Sequence, residues 1–301
     1  MPGRLRILVT GAGGQLGRSL RALADPLPPS ATLAFADRRM LDVSRAGSID
    51  AWLDRNPADV VINAAAYTAV DRAAAESEQA MAANAQAPGL LAQACARRGA
   101  RLLHVSTDYV FDGRAGRPYT EDDPVNPLNT YGLSKLEGER RVLAHAPDSL
   151  VLRTGWVFSA YGGNFVKTML RLARERDTLR VIDDQVGGPT WAGDLARTLL
   201  ALATRPAIPG GILHFSGTPW TSWHGFAREI LDQALGKGLI GRLPALGPMA
   251  ARDWPSPEPR PADSRLDGTR LAALLNLPPC DWRPGLARTL DALARDADGL
   301  Q

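Results

Sequence analysis

A short apolar run, Leu5-Arg6-Ile7-Leu8-Val9, leads into Gly11-Ala12-Gly13-Gly14-Gln15-Leu16-Gly17 and then into a helical pattern. Glycines at 11, 14 and 17 follow a G-x-x-G-x-x-G spacing, a variant of the dinucleotide-binding fingerprint. Gly11 permits a tight turn, Gly14 lets the backbone approach a pyrophosphate, and Gly17 lets helix and strand pack closely. The helix start at Gln15 and Leu16 presents free N–H groups and a partial positive charge to phosphates. A glycine triplet alone is equally the mark of an ordinary turn. The strand before it, the helix after it and Asp37, 20 residues beyond Gly17 at the end of a second apolar run, select the cofactor reading.

The same alternation continues for two-thirds of the chain. Apolar runs at Arg6–Thr10, Thr32–Ala36, Val60–Asn63, Arg101–Val105 and Leu150–Arg153 lack polar alternation, as expected of parallel strands covered on both faces. Helical stretches lie between them, including Gln79–Arg98 with Gly99 as its stop and one running from Tyr131 to about Ala144. This predicts an α/β fold, a doubly wound parallel sheet of the Rossmann type with a smaller C-terminal substrate-binding lobe. Residues 1–153 form the expected dinucleotide-binding domain, with 190–216 returning to its sheet through a strand at Ile212–Phe215. Residues 154–189 and 217–301 form the second lobe, which contains a helix at Asn164–Glu175 and a proline-rich, extended Trp254–Pro261.

Asp37 is placed to accept hydrogen bonds from an adenosine ribose, which favours NAD, whereas Arg38 and Arg39 suit the 2′-phosphate of NADP. Either NADPH or NADH remains open on these residues. Asp42 and Val43 are expected to border the adenine, and the small-residue stretch from Asn63 through Ala65 and Ala66 to Tyr67 lets a cofactor lie close to the third strand.

Tyr131 and Lys135 stand four apart, on one helical face. A ketone reduced by hydride becomes an alkoxide and needs a proton donor beside it. A phenol with a pKa near ~10 is a slow acid at neutral pH, and a neighbouring ammonium brings that value down. Accidental Y-x-x-x-K spacings are common, but lysine is scarce here: Lys135, Lys167 and Lys237 are the only three among 35 basic residues. A lysine at this position therefore signals a demand for geometry and not merely for charge. Thr107, with Ser106 as its competitor, ends the fourth strand 24 residues before Tyr131 and offers a hydroxyl for the substrate oxygen.

With 35 basic and 32 acidic residues, a net charge of +3 and no basic block, the chain lacks the footprint of a nucleic-acid binder. No apolar run approaches membrane-spanning length and no secretory leader is legible, so a soluble cytoplasmic protein is expected. Cys95 and Cys280 have no partner at metal or redox spacing. His104, His145, His214 and His224 are scattered, and none is assigned to catalysis.

The glycine loop, Ser106-Thr107, and Tyr131 with Lys135 together resemble the extended short-chain dehydrogenase/reductase family. Within it, several stretches are similar to the dTDP-4-dehydrorhamnose reductases: Ser106-Thr107-Asp108-Tyr109-Val110-Phe111-Asp112-Gly113, Pro127–Gly132, Arg153–Val157, Asn164–Leu170, Asp184–Thr190 and Arg260–Leu266. These matches span residues 5 to about 266. The resemblance implies NAD(P)H-dependent reduction of the C4 keto group of dTDP-4-dehydro-β-L-rhamnose to dTDP-β-L-rhamnose, the last step in making that sugar donor. It makes Tyr131 the proton donor, Lys135 the group that lowers its pKa and holds the nicotinamide ribose, and Thr107 the tuner of proton transfer. It also places Asp108 and Trp156 on the sugar nucleotide; Arg260 suits its diphosphate. Some family members use an acidic residue just after the glycine loop in a magnesium-linked dimer. Here the stretch reads Arg18-Ser19, which argues against that metal and leaves monomer or homodimer open. Two other readings share the fold: another nucleotide-4-keto-sugar reductase, and a non-catalytic NADP-binding regulatory subunit like that of methionine adenosyltransferase.

Overall fold

The computed structural model describes residues 4–24 and 30–298; the remaining ends of the two expected units, and 25–29, lie outside the described residues. Six strands form one parallel sheet: β1 (Leu5–Thr10), β2 (Ala31–Ala36), β3 (Val60–Asn63), β4 (Arg101–Thr107), β5 (Leu150–Thr154) and β6 (Gly211–His214). Their spatial order is β2-β1-β3-β4-β5-β6, every neighbouring pair parallel. The order reverses between β1 and β3, and open α/β sheets bind ligands in the crevice outside the strand ends at such a point.

Successive strand residues point to opposite faces, and both faces are covered. Ile7, Val9, Val60, Ile62, Leu103, Leu150 and Leu152 share one core with the Gln15–Ala22 and Ala192–Thr204 helices. Leu8, Val61, Leu102 and Val151 share the opposite core with the Ala46–Arg55 and Ala87–Arg98 helices. Cys95 belongs to this second core, and burial pushes its thiol up to about 12, an inert group.

The expected single helix over 79–98 is interrupted. It runs as Ser77–Met81, a π turn at Ala82–Gln86, and Ala87–Arg98 ending at a left-handed Gly99. The cause lies in Asn84, whose buried amide hydrogen-bonds the backbone of Tyr67 in both directions, at 2.8 and 2.9 Å, and reaches the Ser134 hydroxyl at 3.0 Å. Meeting these partners takes precedence over regular helix spacing, and π turns recur where function demands such placement.

A separate apolar cluster, including Phe158, Val166, Met169, Leu179, Phe226, Ile230, Trp282 and Leu286, gathers the Phe165–Glu175, Trp223–Gly236 and Trp282–Asp298 helices. It also takes in a strand at Thr178–Ile182, paired in parallel with Ala245–Met249, that the sequence reading did not foresee. Its period-two burial is legible in Thr-Leu-Arg-Val-Ile once sought.

Candidate active site

Two adjoining cavities lie along the strand ends, sharing Gly14, Ala64 and Ala66 in their walls. The first, about 650 Å³, is walled by Gly11, Gly14, Asp37, Arg38, Asp42, Val43, Ala65, Ala66 and Tyr67, so most of the residues expected to hold a cofactor meet here. Its floor is backbone. Gly11 takes φ +67°, and a Cβ on it would stand 2.6 Å from the Ala65 amide nitrogen; one on Gly17 would strike the Gly11 carbonyl. The glycines are thus required by close approach of β1, its helix and the segment after β3. The helix that follows has no side-chain cap and no acid in its first turn, leaving its N–H groups available to an anion. Asp37 Oδ1 accepts from the amides of Arg39 and Met40 at 2.9 and 3.1 Å. The Ser44 hydroxyl and amide hold the Asp42 carboxyl below its ordinary value.

The second cavity, about 500 Å³, is walled by Gln15, Leu16, Thr107, Asp108, Tyr131, Lys135, Trp156 and Trp223 among others. It brings Thr107, Tyr131 and Lys135 to one place from two elements: the end of β4 and the first turns of the Thr130–His145 helix. That helix is fixed at its start by Asn129, whose side chain accepts from the Gly132 amide at 2.7 Å and donates to the Pro259 carbonyl at 2.8 Å. Glu258 accepts from the Thr130 amide at 2.9 Å, so the proline-rich loop braces the helix N-terminus with a carboxylate. Tyr109 packs edge-on against the Tyr131 ring, with centroids 6.0 Å apart.

Burial governs the electrostatics. The Tyr131 phenol is pushed up to about 12 by desolvation, which the Thr107 hydroxyl opposes and the Asp108 charge reinforces. Lys135, 2% exposed, is pushed down to about 8 by desolvation, against the pull of Glu139. Its ammonium donates to the Val105 carbonyl at 2.6 Å. The lowering of the phenol expected from Lys135 is not seen here: the phenol is raised by burial, and the ammonium is engaged with the strand. Beneath Lys135, Glu139 and Arg153 form a buried bidentate pair at 2.7 and 3.0 Å.

Trp156 lies on the cavity wall at φ +50°, a strained setting for a bulky residue. Its indole stacks on Trp223 with centroids 3.4 Å apart and planes within 4°. Arg260 does not reach either wall; its guanidinium pairs with Asp71 at 2.6 Å. The sequence reading passed over Trp223, Asn84 and the partners of Gln15. Gln15 Oε1 accepts from Ser159 at 3.0 Å and from Asn164 at 2.9 Å, fastening the glycine-loop helix to the segment that leads into the Phe165–Glu175 helix. Asn164 had one local signal, its position before an apolar helical run, and it does cap that helix; Trp223 had none. Among the described residues, no helix is long and apolar enough to cross a membrane and no cluster of His, Cys, Asp and Glu fits a metal ion.

Residues 5–295 match the family described as the RmlD substrate binding domain. A dTDP-4-dehydrorhamnose reductase of Aggregatibacter actinomycetemcomitans is 44% identical over 285 residues, covering 93% of this chain and 97% of its own. The Streptomyces griseus enzyme of the same name is 42% identical over 295 residues, covering 96% and 94%. The solved Bacillus anthracis dTDP-4-dehydrorhamnose reductase, in complex with NADP, superposes with a TM-score of 0.87 at 32% identity, over 96% of this chain and 99% of that one. The glycine loop, the tyrosine–lysine helix and these full-length likenesses agree: the chain belongs to the dTDP-4-dehydrorhamnose reductase family.

Proposed function

We propose that the protein reduces the C4 ketone of dTDP-4-dehydro-β-L-rhamnose to the alcohol of dTDP-β-L-rhamnose, using NADPH or NADH. The observation that carries this reading is the shared wall of the two cavities, which sets Thr107, Tyr131 and Lys135 beside the far end of the glycine-lined cleft. The cleft fits a dinucleotide because Gly11, Gly13 and Gly14 line it without side chains and the uncapped helix that starts after Gly14 begins at its wall. Gly11, Gly14 and the helix start at Gln15 and Leu16 would hold the diphosphate, with Gly17 letting that helix pack close to β1. Asp37 and Arg38 would meet the adenosine ribose, Asp42 and Val43 the adenine, and Ala65, Ala66 and Tyr67 the middle of the cofactor. When bound, the dihydronicotinamide supplies the hydride.

The residues do the rest. Tyr131 donates its phenolic proton to the C4 oxygen as negative charge develops there, and Thr107 hydrogen-bonds the same oxygen. Lys135 turns from Val105 towards the ribose, where its charge favours phenolate. Asp108 and the Trp156–Trp223 stack supply the sugar-facing wall. For Arg260 to touch the diphosphate its pair with Asp71 must open. Residues 154–189 and 217–301 serve as the substrate lobe. We place the protein in the cytoplasm, as a monomer or homodimer that binds no nucleic acid, with magnesium unneeded for the chemistry.

The test is loss of NADPH and NADH absorbance against a panel of dTDP- and GDP-linked 4-keto sugars, with the product identified by mass. Stoichiometric oxidation with dTDP-4-dehydro-β-L-rhamnose is expected. Oxidation only with a different sugar, or cofactor binding without turnover, would replace the proposal.

A further inference from the structure

We infer that Trp223 is a positioning residue: it clamps Trp156 in a backbone conformation unfavourable to an indole-bearing residue, and so sets the wall that the sugar meets. This rests on the reductase reading and adds to it a residue that governs sugar affinity without joining the proton transfer.

Three features meet on one ring. Trp156 sits at φ +50°, in the left-handed region that disfavours a bulky side chain, so packing elsewhere must hold it there. The Trp223 indole supplies that packing, stacked on the Trp156 indole with centroids 3.4 Å apart and planes within 4°. Gly187 supplies the space. A Cβ on it would stand 2.5 to 2.8 Å from three atoms of the Trp156 indole. Gly187 is not among the glycines at positive φ, so it is the ring and not the backbone that calls for a glycine here.

The fold brings these groups together through short strands. Val186–Gly187 pairs antiparallel with Thr221–Ser222, with Gly187 opposite Thr221, and Trp223 follows as the first residue of its helix. Ser222 caps that helix by accepting from the Gly225 amide at 2.9 Å. Phe165 packs on Trp223 as well, with centroids 4.6 Å apart. Beyond Gly187 the chain returns to Trp156, whose carbonyl accepts from the Thr190 amide at 3.2 Å. Trp156 and Trp223 both line the cavity that holds Thr107, Tyr131 and Lys135. Releasing the clamp lets the Trp156 ring leave its place, while β4 and the Thr130–His145 helix keep theirs. The effect falls on sugar binding.

The test uses the full chain with NADPH. Trp223→Leu should raise the KM for dTDP-4-dehydro-β-L-rhamnose, and the calorimetric Kd of dTDP-β-L-rhamnose, about tenfold, with kcat changed less than about threefold. Gly187→Ala displaces the same ring but leaves Trp223 and its apolar neighbours untouched, so it should act alike and decides the matter if Trp223→Leu fails to fold. Trp223→Phe, which keeps an aromatic face, should restore most of the affinity. In a Trp156→Gly background, where the backbone is at ease at φ +50°, neither change should weaken sugar binding further. Additive losses there would mean that Trp223 acts by a contact of its own, and would overturn the inference. A fall in kcat with KM intact would do the same.

A readout free of turnover comes from protein labelled with ¹⁵N-tryptophan. The Trp156 indole N–H resonance, identified by its loss in Trp156→Phe, should be shifted upfield by the ring beneath it. It should move in both Trp223→Leu and Gly187→Ala; an unmoved resonance sinks the clamp. The expected shifts in protein that neither binds nor reduces this sugar would support the clamp and remove the substrate assignment alone.

Discussion

The two cavities are built by opposite means. The glycine-lined cleft is made of backbone brought close, with Gly11, Ala64 and Ala65 in near contact. The cavity beside Tyr131 is made of buried titratable side chains, with Tyr131, Lys135 and Asp108 each displaced from its ordinary ionisation by desolvation. The first kind of site tolerates no added volume where two stretches of backbone meet, as at Gly11. The second depends on where each proton sits. A ligand can be gripped by shape alone, whereas proton delivery requires groups that the fold would be more stable without.

The largest expected effect breaks the second site and spares the first. Tyr131→Phe should lower kcat by about 10²–10⁴, with NADPH affinity by fluorescence titration nearly unchanged. Retained activity would remove the phenol from the mechanism. Gly11→Ala does the converse: the added carbon meets Ala65 and Ala64 backbone at φ +67°, so a loss of about 3 kcal/mol or more in stability or cofactor binding is expected. Gly13→Ala, with nothing within 4 Å of the added carbon, should stay within about 0.5 kcal/mol in a denaturant titration and so serves as its control.

Lys135→Met should abolish turnover yet stabilise the fold. The lysine's value falls from 10.5 to about 8 on folding, so its charged form burdens the native state below pH 8 by at most about 3 kcal/mol, a cost that fades as pH rises towards 10.5. The variant's gain in urea midpoint should therefore be greatest near neutral pH and shrink at pH 10; a loss of stability at pH 7 would contradict the reading. Asp108 has the opposite sign: its value rises from 3.8 to about 6, so wild type should lose stability between those pH values relative to Asp108→Asn and not beyond them. The smallest effect sharpens the first site. Arg38→Ala should shift the NADPH-to-NADH preference by less than about tenfold, because Arg39 also lines the cleft.

Legibility followed the same division. β1, the glycine loop, Asp37 and the five long apolar runs could be read directly, because strand burial on two faces and close backbone approach restrict residue type locally. Tyr131 and Lys135 were readable through helical spacing and the scarcity of lysine. The Asn84 turn, the Gln15 bonds to Ser159 and Asn164, and the Trp156–Trp223 stack were not, since each joins residues distant in the chain. The pairing of Arg260 with Asp71, 189 positions away, is of the same kind.

Sequence alone determined that this chain winds a parallel sheet around a dinucleotide fingerprint and carries a tyrosine and lysine one helical turn apart. Those are properties of short-range sterics and periodicity. Only the tertiary structure decided how the protons are held. Ionisation depends on what surrounds a group in three dimensions, and here it is the depth of burial, the bond from Lys135 to Val105 and the unpartnered Asp108 oxygen that set it.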